Sequence, residues 1–122
     1  IFASGNWWVI SFCKGKRPEA IMSMVEQARA RNIRVILASI PPAKSFGWNT
    51  RVNPVPHIRT MNKWIAEYAA KEGLTHVDYY SALADWDGAF NRSLTFDGVH
   101  PNAEGYAVMG NLAADAVRRA NQ

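Results

Sequence analysis

Apolar positions along the chain recur with two different periods, and the switches between them outline its elements. Ile21, Met24, Val25 and Ala28 are spaced by three and four residues, which gathers one apolar stripe on a helix. Pro18 suits the first turn of that helix, and Glu19 lies where the helix dipole favours an acid. Arg29 and Arg31 fall near its other end, and Asn32 can take the left-handed conformation that closes a helix. Residues 33–40, Ile-Arg-Val-Ile-Leu-Ala-Ser-Ile, then form a near-continuous apolar run. That pattern predicts a strand covered on both faces, as in a parallel sheet. Pro41-Pro42 ends it, and residues 41–56 hold four prolines with Gly47, Trp48 and Asn49, the composition of a long ordered loop. In an α/β sheet the loop leaving the carboxyl end of a strand is where sites are built.

The helical period returns from about Pro56 to Glu72, with Ile58, Met61, Ile65, Tyr68 and Ala69 on one face and Gly73 closing it. Thr75 to Tyr80 reads as a short strand, Ser81 to Asp85 as one helical turn, and Trp86-Asp87-Gly88 as a bend. A last helix is expected after Asn102, an N-cap residue, with Tyr106, Met109, Ala113, Ala116 and Val117 turned inward. Gly105 and Gly110 weaken it locally. The opening residues admit two readings. Trp7 to Phe12 has the content of a buried strand, whereas a strand ending near Ser4, a turn at Gly5-Asn6 and an irregular segment fit equally. Alternating helices and strands predict an α/β domain with parallel strands. Two clear strands are too few for a stable sheet. Further strands must come from the opening segment, from pairing between chains, or from sequence ahead of Ile1.

Composition narrows the function more than the fold. At 122 residues, 48% apolar and 20% charged, the chain is read as a single domain able to bury a core. The net charge is +4, but the basic residues are scattered with no long block, so no nucleic-acid partner is expected. Cys13 is the only cysteine, which excludes an internal disulfide. The apolar opening is too short and interrupted for a membrane span and lacks the basic region of a signal peptide. No membrane partner is expected, and the compartment stays open. His57, His76 and His100 lie far apart without metal-ligand spacing, and no glycine-rich phosphate loop occurs. Neither a metal nor a cofactor is expected.

The chemistry concentrates in Thr95-Phe96-Asp97-Gly98-Val99-His100-Pro101-Asn102. An Asp three residues before a His lets the carboxylate orient one imidazole nitrogen while the other takes a proton. The same spacing also fits a turn Asp and a surface His ahead of a helix.

D-G-V-H-P-N followed by Ala103-Glu104-Gly105-Tyr106 resembles the last conserved block of the SGNH (GDSL-type) hydrolases. Upstream, R-V-I-L-A-S-I-P-P-A, N-K-W-I-A-E-Y-A-A and H-V-D-Y-Y-S-A-L are similar to the same family, from about Glu19 to the C-terminus. The resemblance implies a three-layer α/β/α, flavodoxin-like domain, truncated to its C-terminal portion with few parallel strands. Residues 1–17 either belong to it or are unrelated. It further implies cofactor-free hydrolysis of short-chain or acetyl esters, with Asp97 orienting His100 as general base for a serine.

The family's G-D-S nucleophile block does not occur in this sequence. Ser4-Gly5-Asn6 sits roughly where the family's G-x-N-D block falls, which makes Asn6 a candidate oxyanion donor, although Trp7 replaces the usual Asp. Ser4 and Ser11 precede the region of resemblance, Ser39 falls at a scaffold position, and Ser45 lies in the Pro-rich loop. No serine occupies a strand–turn–helix elbow, so the nucleophile is open, with Ser4 a candidate. Two functional expectations stand side by side. One is an esterase acting on a small ester substrate. The other is an inactive fragment held as a homo-oligomer, because a sheet lacking its first strands leaves an edge to cover. Were both partly true, a neighbouring chain would bring the serine to His100.

Overall fold

Parallel strands need a crossover between them, and the alternating periods of this chain supply helices for that purpose. The computed structural model describes residues 2–4, 7–11, 18–46, 51 and 53–121, the first two segments as backbone. The elements run β1 (Phe2–Ser4), β2 (Trp7–Ser11), α1 (Pro18–Ala30), β3 (Arg34–Ala38), α2 (Val55–Glu72), β4 (Thr75–Val77), α3 (Tyr79–Leu83) and α4 (Ala103–Ala120). A single 3-10 turn, Arg92–Leu94, precedes the last loop. The strands lie in the order β1-β2-β3-β4. β2, β3 and β4 are parallel, with Ile10 opposite Leu37 and Leu37 opposite His76. β1 pairs antiparallel with β2, Ala3 facing Trp8. The opening segment therefore supplies the strands that the rest of the pattern lacked.

β3 explains why its sequence is apolar throughout. Val35 and Leu37 enter one buried cluster with Ile21, Val25, Ile65 and Tyr68 from α1 and α2. Ile36 and Ala38 enter another with Val77, Leu83, Phe90 and Ala116 on the α3/α4 side. Successive side chains of a strand point to opposite faces, so both faces must be apolar to build this three-layer α/β/α arrangement. Trp64 and Tyr68, one turn apart on α2, stack with ring centroids 4.9 Å apart. Asn32 (φ 55°) and Gly73 (φ 67°) end α1 and α2 in the left-handed conformation that the sequence predicts.

One boundary and one inward residue differ from the sequence reading. The strand at Thr75 stops at Val77 rather than Tyr80, because the Asp78 carboxylate accepts from the Ser81 amide and starts α3 at Tyr79. On α4, Tyr106 is not turned inward but 60% exposed, while Gly105 and Ala116 are buried and Val108, Met109 and Leu112 pack on the second cluster. Met109, Ala116 and Val117 face that cluster as the pattern predicts, and only at Tyr106 does the buried position shift by one residue, to Gly105, where the Leu94 carbonyl packs.

His76 sits on β4 with its Nε2 buried and without a hydrogen-bond partner among the described residues. Burial lowers its pKa from the ordinary value of about 6.5. The Asp78 charge opposes that shift, and the Arg119 guanidinium, which donates to the His76 carbonyl, reinforces it. The unfolded chain therefore takes up this proton first as pH falls, and stability declines from about pH 6.5 downward. Denaturant unfolding of the parent is expected to lose more stability between about pH 7.5 and pH 5.5 than that of His76→Gln. Equal losses in the two proteins would contradict the assignment.

Candidate active site

The loop before α4 is built by side chains that satisfy its backbone. Asn91 accepts from Ser93 N and Oγ and sets the 3-10 turn. Thr95 and Pro101 then form an isolated antiparallel bridge, so residues 96–100 leave and return at one place. Gly98 has φ 79°, a conformation that favours glycine and reverses the chain here. Asn102 caps α4 by accepting from Gly105 N at 2.9 Å, while its own Nδ2 donates to Ser93 O and its N–H to Leu94 O. A Cβ at Gly105 would lie 2.5 Å from Leu94 O and 2.8 Å from Pro101 Cβ. Turn, loop and helix are thereby pressed together through one glycine.

This frame brings Asp97 and His100 into contact. Asp97 Oδ2 lies 2.7 Å from His100 Nδ1, and Oδ1 accepts from the amides of His100 (2.8 Å) and Val99 (2.9 Å). The His100 amide, then the imidazole, then the Val99 amide hold the Asp97 carboxyl well below the usual carboxylate range. Asp97 thus stays ionised wherever a histidine titrates. An ionised carboxylate only accepts, so Nδ1 carries a proton and the lone pair of the neutral ring is left on Nε2. Both side chains are open to solvent, 52% for Asp97 and 68% for His100. The contact therefore contributes orientation rather than much stability.

A pocket of about 390 Å³ lies on the Asp97 side of the loop, lined by Lys44, Ser45, Phe90, Arg92, Phe96 and Asp97 among others. Lys44 and Ser45 come from the Pro-rich loop beyond the carboxyl end of β3, the place the sequence pattern marks for a site. Lys44 Nζ is held 2.9 Å from Asp87. That bond, with the Ala89 amide, lowers the Asp87 pKa. Nothing in the sequence pattern singles out Arg92 for this wall.

Ser39 is 1% exposed. Its Oγ accepts from Tyr80 N at 2.9 Å and faces Asp78 Oδ1, joining the end of β3 to α3 as a scaffold residue. Ser45 is exposed at the pocket, and no serine among the described residues hydrogen-bonds His100. Ser4 and Ser11 end β1 and β2, where the backbone alone is described. Asn6, the candidate oxyanion donor, lies outside the described residues. Among the described residues no three His, Cys, Asp or Glu side chains gather as a metal site.

Residues 7–108 match the GDSL-like lipase/acylhydrolase family. The chain belongs to this family. Its fold superposes on a Bacteroides fragilis protein named as an acylhydrolase with a TM-score of 0.87, at 36% identity over 96% of this chain and 63% of that one. A GDSL-like lipase from Bacteroides thetaiotaomicron gives 0.79 at 38% identity, covering 84% and 51%. An N-acylneuraminate cytidylyltransferase from Escherichia coli is 34% identical over 88 residues, which are 70% of this chain and 19% of that protein. The GDSL-like chain thus spans between about half and two thirds of the solved relatives' length.

The Gly105 contact yields a direct test. Alanine is a better helix former than glycine by about 1 kcal/mol, so an unobstructed site would gain stability. Gly105→Ala is instead expected to destabilise the protein in denaturant unfolding, because the Leu94 carbonyl must move. A gain in stability would show that the helix and loop are not in contact there.

Proposed function

We propose that this chain carries the acid–base half of a serine-dependent ester hydrolase acting on short-chain or acetyl esters. The observation that carries the reading is the 2.7 Å contact of Asp97 Oδ2 with His100 Nδ1, made on a loop of a GDSL-like chain. His100 Nε2 takes the proton of a serine hydroxyl as its oxygen attacks the ester carbonyl. The imidazolium then returns that proton to the leaving alcohol. A water repeats the sequence on the acyl-enzyme and releases the carboxylic acid and the serine. Asp97 stabilises the imidazolium throughout and holds the productive tautomer without taking the proton. Asn6 is the proposed oxyanion donor, and the serine comes from a segment other than those bonded to His100. A pocket of about 390 Å³ with Phe90 and Phe96 in its walls suits a small ester. The hydrolase names of the two Bacteroides relatives support the reaction class.

Hydrolysis of p-nitrophenyl acetate tests the proposal. His100→Ala is expected to lower kcat by at least about 10⁴-fold, more than any change at Asp97. Asp97→Asn keeps an oxygen for the two amides but presents an NH2 to Nδ1, which favours the wrong tautomer. The same exchange in a serine-protease triad costs on the order of 10⁴-fold, and a loss of at least about 10³-fold is expected here. Equal rates for the parent and His100→Ala would overturn the reading.

A further inference from the structure

We propose that Thr95 is the positioning residue of the Asp97–His100 pair, its hydroxyl fixing the loop on which His100 is presented. This rests on the reading of His100 as general base. The loop has three successive amide donors, at Gly98, Val99 and His100, and one carbonyl beside the ring, that of His100. Asp97 takes the Val99 and His100 amides. Thr95 Oγ1 takes the other two groups, accepting from Gly98 N at 3.0 Å and donating to His100 O at 2.6 Å.

Proton counting gives the direction of each bond. A hydroxyl has a single proton to donate. His100 O at 2.6 Å claims it over Asp97 Oδ1, which lies 3.5 Å from Thr95 Oγ1. Asp97 Oδ1 is therefore left to the two amides, and Oδ2 remains committed to the imidazole. One hydroxyl thus bridges both arms of the loop, holding the reversal at Gly98 and the carbonyl next to the catalytic ring. It acts through the backbone of His100 and touches no reacting atom.

The surroundings separate positioning from stability. Gly98 is half-buried and His100 exposed, so water can replace the lost bonds when the hydroxyl is removed. The Thr95–Pro101 bridge, the Asn102 cap and the second apolar cluster do not involve that hydroxyl. Thr95→Val is close to isosteric. It is expected to leave the fold standing and to let residues 97–100 sample several arrangements. Misplacement of about 1 Å at a catalytic group is enough to lower turnover about 10²-fold.

Nitrogen-15 NMR of histidine side chains reads the effect without needing catalysis. In the parent, His100 is expected as the Nδ1–H tautomer with a slowly exchanging ring proton. Thr95→Val should move it toward a tautomer mixture and speed that exchange, and Thr95→Ser should restore the parent spectrum. His57 and His76 report the rest of the fold in the same spectra. Should valine disturb them, Thr95→Ala is read in its place. A His100 spectrum unchanged in the hydroxyl-free variant overturns the proposal. In the ester assay the valine variant should lose about 10- to 100-fold in kcat with little change in KM, recovered by serine. A rate loss with an unchanged His100 spectrum also overturns the role of Thr95, while leaving hydrolysis standing. The expected spectra in a parent that hydrolyses no ester uphold Thr95 and remove the hydrolase reading instead.

Discussion

A single carboxylate organises the site. Asp97 accepts two backbone amides on one oxygen and an imidazole on the other, so its charge is spent on three donors within four residues. In water such a pair holds together weakly, and both partners are open to solvent. Its value is directional. With Oδ1 anchored to the backbone, Oδ2 has little freedom, and the ring that meets it is fixed in tautomer and heading. A carboxylate free to rotate would offer the same charge without that geometry.

The core holds this loop in place through close backbone contact. Ala116 on α4 belongs to the apolar cluster formed by Ile36, Ala38, Val77 and Leu83. The first turn of the same helix carries Gly105, whose missing side chain admits the Leu94 carbonyl, and Asn102, whose side chain ties Ser93 to the helix start. Burial of β3 on both faces therefore reaches His100 along a short route: sheet, α4, cap, loop. Ser39 plays a parallel role on the other side by joining the end of β3 to the amide of Tyr80. Rigid elements carrying short loops tied by side-chain hydrogen bonds are how a domain of this size keeps an exposed dyad in order.

Much of this was legible in the sequence, for identifiable reasons. The run from Ile33 to Ile40 declares a strand buried on both sides, and the stripes of α1 and α2 declare their inner faces. Asn32, Gly73 and Asn102 mark helix ends through conformations that few residues adopt or cap well. The D-x-x-H spacing gives the dyad because three residues of separation close one loop. Tyr106 escaped the pattern because helical periodicity does not register a backbone segment packed against Gly105. Tyr79 and Tyr80 have strand propensity, and the Asp78 cap overrides it. The Lys44–Arg92 pocket wall joins residues far apart in the chain, and no local signal records such a meeting.

The central claim is that Asp97 and His100 serve a serine. Covalent labelling of the protein with a fluorophosphonate, followed by peptide mass spectrometry, tests it most directly, because the reagent phosphonylates a serine only where a base activates it. The account predicts one labelled serine in the parent and loss of the label in His100→Ala, with slow labelling in Asp97→Asn. Labelling of the same serine at an unchanged rate in His100→Ala would contradict it.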